Sequence, residues 1–159
     1  MRRAAPLQPS ACKPGPRLGA AVLLVMLSSW VLAGGAHADI AVIVHADNPV
    51  QSLTTRQTAE LYLGRVRTFD TGQYALVIDQ GRDDPLRGRF FKDVSGMTIG
   101  QVTAYWSRLQ FTGQVQPPRS LEGDAAVLDF VRRNPTAIGY ISTMPALDAK
   151  VKTVLVLRD

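Results

Sequence analysis

One stretch, residues 74–94 (YALVIDQGRDDPLRGRFFKDV), limits the possible fold more than any other. It contains an apolar run typical of a β-strand, then a loop of glycine and charged residues, then an amphipathic helical segment. A helix that begins after such a loop has backbone N–H groups without intrahelical partners, and α/β proteins commonly hold anions at these junctions. We therefore expect a strand, a turn and a helix here, with any ligand site at this junction.

The helix in this stretch has a strong start signal at Asp84 followed by Pro85. An aspartate before the first turn accepts hydrogen bonds from free N–H groups, and proline is tolerated at the first helical position. Leu86, Phe90 and Val94 then lie on one helical face. The pattern predicts a helix from Asp84 that packs one face on a sheet.

The chain beyond residue 38 alternates between strand-like and helix-like segments. Strands are predicted at residues 39–44, 74–79, 137–141 and 151–157, the last two joined by a turn through Met144-Pro145. Helices are predicted after caps at Ser52 or Thr54, at Asp84 and at Thr98, and from Asp124 to Asn134, with residues 111–119 as a loop. This alternation predicts one α/β domain with a mostly parallel sheet flanked by helices.

The first 38 residues have the three parts of a secretory signal peptide. A basic region with Arg2, Arg3, Lys13 and Arg17 precedes the apolar residues 18–32, and Ala36-His37-Ala38 offers small residues at a cleavage point. The apolar run is short for a membrane span, although an uncleaved anchor is the alternative. We expect cleavage after Ala38, which leaves residues 39–159 as an exported, periplasmic domain.

Removal of the signal changes the charge balance of the protein. The basic count falls from 18 to 14 against 13 acidic residues, so the net charge falls from +5 to +1. Such a chain lacks the basic surface of a nucleic-acid binder. It also keeps no cysteine, since Cys12 precedes the cleavage point, and its one histidine is His45. Thiol catalysis and zinc sites are therefore disfavoured, and we expect neither cofactor nor metal nor enzymatic activity.

Short motifs in a fixed order resemble the phosphate-type periplasmic solute-binding proteins of ABC transporters. The resemblance spans nearly all of residues 39–159 and rests on residues 40–44 (IAVIV), 48–50 (NPV), Leu53-Thr54, Leu63-Gly64, Phe90, Tyr105-Trp106, 111–113 (FTG), Val131 and 137–141 (AIGYI). It implies a lobe of the type 2 periplasmic binding fold. No counterpart of the family's first lobe precedes Asp39, so the resemblance is to a single lobe.

The same resemblance places a phosphate site at a helix start, where the family has Ser-Gly-Thr. Alignment on Phe90 puts Asp84, Pro85 and Leu86 at these three positions, and none of them matches. A carboxylate at Asp84 would occupy the N–H groups and repel an oxyanion. We therefore expect the scaffold of the family without its phosphate site.

Four residues are candidates for ligand binding: Ser52, Arg82, Asp84 and Arg87. Each has a structural alternative, because Ser52 and Asp84 are also good helix caps and the two arginines also fit ion pairs with acidic neighbours such as Asp83.

Two functions remain open on the sequence. The first is an exported solute-binding protein that takes a small oxyanion and serves a membrane transporter or sensor. The second is a single-lobe interaction protein that docks a partner or a second copy of itself.

The signal-peptide interpretation predicts the N-terminus of the exported protein. Mass spectrometry of the secreted form should find Asp39 as its first residue, because the A-x-A sequence ends at Ala38. A secreted or membrane-bound form that retains residues 18–32 would instead identify an anchored protein.

Overall fold

The computed structural model describes residues 39–113, 116–142 and 149–158, so the predicted signal peptide and the Met144-Pro145 turn lie outside the described residues. The described part contains five strands and four helices. Within it, no helix has the length and apolar character needed to cross a membrane. In chain order the elements are β1 (Ile40–His45), α1 (Thr55–Tyr62), β2 (Leu76–Gln80), α2 (Pro85–Ser95), α3 (Ile99–Phe111), β3 (Arg119–Leu121), α4 (Gly123–Arg133), β4 (Ala137–Ile141) and β5 (Val151–Leu157).

The strands form one sheet in the order β3-β2-β4-β1-β5. Strand β2 is parallel to both β3 and β4, whereas β1 is antiparallel to both of its neighbours, β4 and β5. Four strands therefore share one direction and β1 alone is reversed. The α/β fold class is confirmed. The sheet is mixed, because one of its five strands runs against the other four.

The sheet carries helices on both faces, because successive side chains of a strand point to opposite sides. Ile40, Val42 and Val44 of β1 pack with residues of α1, α2 and α3. Ala41 and Ile43 pack on the other face with Val127 and Val131 of α4 and with other buried side chains. The lobe thus has three layers and two apolar cores.

An aromatic cluster forms the centre of the larger core. The rings of Phe90 and Tyr140 are stacked with centroids 3.8 Å apart, and Tyr62 meets Phe90 edge-on at 4.7 Å. Phe91 completes the cluster and is fully buried. Because these rings come from α1, α2 and β4, their contacts join the three elements. Burial of such rings is a main source of stability in a domain of this size.

The cap signals in the sequence predicted the helix starts well. Of the two alternatives Ser52 and Thr54, Thr54 is the N-cap of α1. Asp84 and Thr98 are the N-caps of α2 and α3, and each of the three caps accepts a hydrogen bond from a first-turn N–H. Gly64 and Gly96 follow α1 and α2 with φ of 65° and 71°, a conformation that favours glycine. Helix α4 begins at Gly123, one residue before the predicted start.

No strand was predicted at β3, whose first residue, Arg119, was assigned to a loop, and the structure corrects this. Its three residues are mainly exposed and follow Pro117-Pro118. A strand this short has no periodic apolar pattern, and its pairing to β2 is a long-range contact that local sequence does not encode.

Gly139 permits the close approach of α4 to the sheet. A Cβ atom at this position would lie 2.5 Å from Cγ1 of Val127 and 3.3 Å from Cγ2 of Val131. Both valines are fully buried, so they have little room to move.

We predict that Gly139→Ala lowers the free energy of unfolding by about 1–3 kcal/mol, because the added methyl group overpacks this contact. Gly88→Ala is the matched control, since a Cβ atom there meets nothing within 4 Å. It lies inside α2 and should leave stability unchanged or raise it by up to about 1 kcal/mol. Urea denaturation of both variants measures the difference, and equal stabilities would contradict the packing argument.

Candidate functional site

The parallel strands β2, β3 and β4 end at the same edge of the sheet. In the sheet, β3 lies on one side of β2 and β4 lies on the other. The chain passes from β2 through α2 and α3 to β3, and then through α4 to β4. This is a topological switch point, the place where open α/β sheets hold ligands. We call this edge the carboxyl-end face: residues 79–84, 122–124 and 142, together with the first turns of α2 and α4.

A buried carboxylate, Asp79, lies at the centre of the carboxyl-end face. Its Oδ2 accepts a hydrogen bond from Nε of Arg87 at 2.8 Å, and its Oδ1 accepts one from the hydroxyl of Tyr140 at 2.6 Å. The backbone N–H of Gln80 donates to the same Oδ1 at 2.9 Å. The Asp79 side chain is 3 % exposed and that of Arg87 12 % exposed. The negative charge of Asp79 and the positive charge of Arg87 therefore neutralise each other inside the protein.

A second group of hydrogen bonds ties α4 to the strand ends. Nε2 of Gln80 donates to Oδ1 of Asp124 at 2.9 Å and to the carbonyl of Tyr140 at 3.0 Å. The other oxygen of Asp124 accepts from both the backbone N–H and the hydroxyl of Ser142. The ends of β2 and β4 and the start of α4 are thus held in one network.

The start of α2 is capped by its own sequence. Oδ1 of Asp84 accepts from the N–H of Leu86 at 2.9 Å, and the carbonyl of Asp84 accepts from the N–H of Arg87 at 3.1 Å. Pro85 has no N–H to offer. The first-turn donors that would face an anion are therefore satisfied inside the chain.

The structure brings three of the four predicted ligand residues to the carboxyl-end face. Asp84 and Arg87 have the partners described above, and Arg87 also lies over the Phe91 ring, with its Cζ 5.3 Å from the centroid. Arg82 is exposed in the loop between β2 and α2.

Ser52 lies elsewhere, beside the edge strand β5, because the next residue, Leu53, donates its N–H to the carbonyl of Val154 at 2.9 Å. In the sheet order β5 is three positions from β2, so Ser52 is not near the other three candidates. His45 is also remote, because β1 is reversed and ends at the opposite edge of the sheet.

Sequence reasoning missed Asp79, Gln80, Asp124 and Ser142 as parts of the site. One signal was available: Asp79 is an acidic residue at the end of an apolar strand, where a buried charge needs a partner. The partners come from α2 and β4, which lie 8 and 61 residues further along the chain.

Burial raises the pKa of the Tyr140 phenol well above its ordinary value, and the nearby charge of Asp79 and the hydrogen bond to it raise this pKa further. Burial likewise raises the pKa of Tyr62, again with a smaller effect of Asp79. Both tyrosines act as neutral hydrogen-bond donors, and Tyr62 donates to the carbonyl of Ile78 at 3.1 Å. Within the described residues, no three His, Cys, Asp or Glu side chains are grouped to hold a metal ion.

Solved structures with the same fold include receptors for phosphate transport. A candidate phosphate ABC transporter substrate-binding protein from Clostridium perfringens, solved with bound phosphate, matches with a TM-score of 0.58 and 25 % identity. An ABC-type phosphate transport receptor from Vibrio cholerae matches with a TM-score of 0.56 and 21 % identity. A possible phosphate-binding protein from Planctomyces limnophilus matches with a TM-score of 0.52 and 13 % identity.

These matches define what the fold is similar to. Each covers 75 % of this chain, but this chain spans only 46 %, 47 % and 42 % of the three solved chains, about half of their length. No protein-family model and no curated protein matches the sequence. The described domain therefore resembles one lobe of a periplasmic binding protein, and in particular one lobe of phosphate ABC transporter substrate-binding proteins.

The raised pKa values predict a loss of stability in alkali. Above about pH 10 an unfolded tyrosine loses its proton whereas Tyr140 in the folded protein retains it, so the unfolded state is favoured as pH rises. Tyr140→Phe should make the fall in unfolding free energy less steep by about 1.4 kcal/mol per pH unit, and Tyr62→Phe should act in the same direction. Denaturation series from pH 7 to about pH 11 test this. Slopes equal to that of the parent in both variants would contradict it.

Proposed function

We propose that residues 39–159 form an exported, periplasmic and non-catalytic binding module that serves a transport or sensing system. In this proposal the module docks a protein partner, such as a membrane transporter or sensor, through its carboxyl-end face. The lobe fold shared with phosphate receptors supports the class of function. Cleavage after Ala38 would release the module from its signal peptide.

One observation favours docking over phosphate capture. The groups best placed to hold an oxyanion at the start of α2 are already engaged, since Asp84 caps the helix and Arg87 pairs with Asp79. An incoming phosphate would have to displace a carboxylate that is covalently part of the helix start. That exchange is unfavourable because the internal cap loses little entropy when it binds.

The charges on the carboxyl-end face also favour docking over phosphate capture. Five acidic residues and two arginines lie on it: Asp79, Asp83, Asp84, Glu122, Asp124, Arg82 and Arg87. An excess of carboxylates repels a small oxyanion. The exposed members of the set, Arg82, Asp83 and Glu122, are instead suited to the polar rim of a protein interface.

The non-catalytic part of the proposal rests on the residue types at this face. The residues that form this face include neither histidine nor cysteine. His45 lies at the opposite ends of these strands, because β1 runs in the reverse direction. The hydroxyl of Ser142 is bonded to Asp124 with no imidazole between them. A serine in this setting lacks the base that activates a nucleophile.

Small-oxyanion binding is the second candidate, and the exposed position of Arg82 favours it. Arg82 lies two residues before the α2 cap and is the cation on this face that is open to solvent. An arginine beside a helix start can supply the charge that a bound phosphate or sulfate requires.

Calorimetry with phosphate and sulfate at low salt separates the two candidates, because screening hides weak sites at high salt. We expect no saturable binding to the parent protein at ligand concentrations up to about 1 mM. Asp84→Ser retains a capping hydroxyl but removes the charge, so it should cost at most about 1 kcal/mol of stability and gain measurable oxyanion affinity.

Asp83→Ser is the matched control for this test. It removes the same charge one residue earlier but leaves the Asp84 cap in place, so it should gain no affinity. Micromolar binding of phosphate to the parent would overturn the docking proposal and favour the second candidate. Equal gains in the two variants would show that net charge, and not the capped N–H groups, controls anion binding.

A further inference from the structure

A cavity lies beside the start of β2, at the end of that strand opposite the carboxyl-end face. Its volume is about 460 Å³, within the range of about 300–1,000 Å³ typical of small-molecule sites. Its walls come from the end of α1, the segment that leads into β2, the middle of α3 and the segment that leads into β3. We call it the amino-end cavity.

Fixed contacts hold the walls of the amino-end cavity. The hydroxyl of Tyr105 donates to the carbonyl of Leu63 at 2.9 Å, which joins α3 to the end of α1. The N–H of Ala75 donates to the carbonyl of Arg67 at 2.9 Å, which fixes the backbone that leads into β2. Walls held in this way are in place before a ligand arrives, so binding has little ordering cost.

The deep wall of the cavity is hydrocarbon. Trp106 lines the cavity and is only 5 % exposed. Its indole nitrogen is buried and has no hydrogen-bond partner among the described residues, so the ring presents carbon atoms, not its N–H, to the cavity. Leu61, Pro117 and Pro118 add further apolar surface to the lining.

The rim of the cavity is also apolar. Tyr74 and Val66 belong to the lining and are 58 % and 39 % exposed. In the described part of the chain four large apolar residues are exposed, and two of them are these rim residues. Exposed apolar groups around a concavity mark a binding site more often than the same groups on a convex surface.

The charged members of the lining, Arg67 and Arg119, are engaged elsewhere. The Cζ atom of Arg119 lies 5.5 Å from the ring centroid of Phe130. Phe130 packs with the core on the α4 face of the sheet, whereas Trp106 packs with the core on the other face. Arg67 already has an interaction partner within the protein. The surface that Trp106 and the rim residues offer to a ligand is therefore uncharged.

We propose that the amino-end cavity binds a small uncharged aromatic molecule. The rings of Trp106 and Tyr74 give such a ligand flat apolar surface to pack against, and the walls exclude water from it. A charged ligand would lose hydration there without gaining an ion pair, so it is disfavoured. This site is independent of docking at the carboxyl-end face.

The probe for this proposal is N-phenyl-1-naphthylamine, an uncharged dye whose fluorescence rises in apolar surroundings. The full chain is titrated into the dye, and binding should saturate with a dissociation constant of about 100 μM or tighter. Its sulfonated counterpart, 8-anilinonaphthalene-1-sulfonate, carries the same rings and one negative charge. The sulfonated dye should bind no more tightly than the uncharged one, because its charge finds no partner in the cavity.

Single substitutions locate the site. Val66→Asp places a charge at the rim and should weaken binding of the uncharged dye at least about tenfold, because the carboxylate must lose water when the dye binds. Ile99→Asp is the matched control: Ile99 is 36 % exposed, undergoes the same change from apolar to acidic, and does not line the cavity. It should leave the affinity unchanged. Asp84→Ser should also bind the dye as the parent does, which separates this site from the carboxyl-end face.

Energy transfer from Trp106 supplies a second readout in case Val66→Asp folds poorly. The sequence has two tryptophans, Trp30 and Trp106, so Trp30→Phe leaves Trp106 as the only donor. Bound dye should quench the Trp106 emission with the same midpoint as the rise in dye fluorescence. Absence of saturable binding, tighter binding of the sulfonated dye, or equal affinities of Val66→Asp and Ile99→Asp would each overturn the proposal.

Discussion

The buried carboxylate of Asp79 is the constraint on which the carboxyl-end face depends. A charge that is almost excluded from water is tolerated only when it is paired and hydrogen-bonded. Arg87 supplies the pair, and Tyr140 and the N–H of Gln80 supply the hydrogen bonds. These partners come from β2, α2 and β4, so the same atoms that neutralise the charge also fix the helix against the sheet. The groups at this face are therefore occupied by contacts that hold α2 and β4 to β2.

The arrangement of charges gives the two ends of the lobe different chemistry. Carboxylates predominate where β2, β3 and β4 end, whereas the concave surface beside the start of β2 is lined mostly by uncharged residues, with Arg67 and Arg119 as its charged members. A similar scaffold can thus present different sites, because fold and function are separable. The likeness to phosphate receptors describes how the backbone is arranged, and the side chains decide what each end can bind.

Local signals in the sequence predicted much of the fold. The caps at Thr54, Asp84 and Thr98 and the apolar strands all follow from short-range chemistry. The candidate site was predicted only in part, since Arg82, Asp84 and Arg87 lie together but Ser52 does not. The reversed direction of β1, the pairing of β3 and the Asp79–Tyr140 contact depend on residues distant in sequence, which propensity and periodicity do not report.

The two outermost strands of the sheet, β3 and β5, are protected from pairing with other chains in different ways. Strand β3 has three residues and follows two prolines, which cannot donate to a neighbouring strand. Strand β5 is partly covered by the backbone of Leu53, and the ammonium group of Lys152 donates to the carbonyl of Asn48. Long, bare edges recruit strands from other chains and lead to aggregation. A protein with edges blunted in this way should resist edge-to-edge aggregation and the growth of fibrils at high concentration.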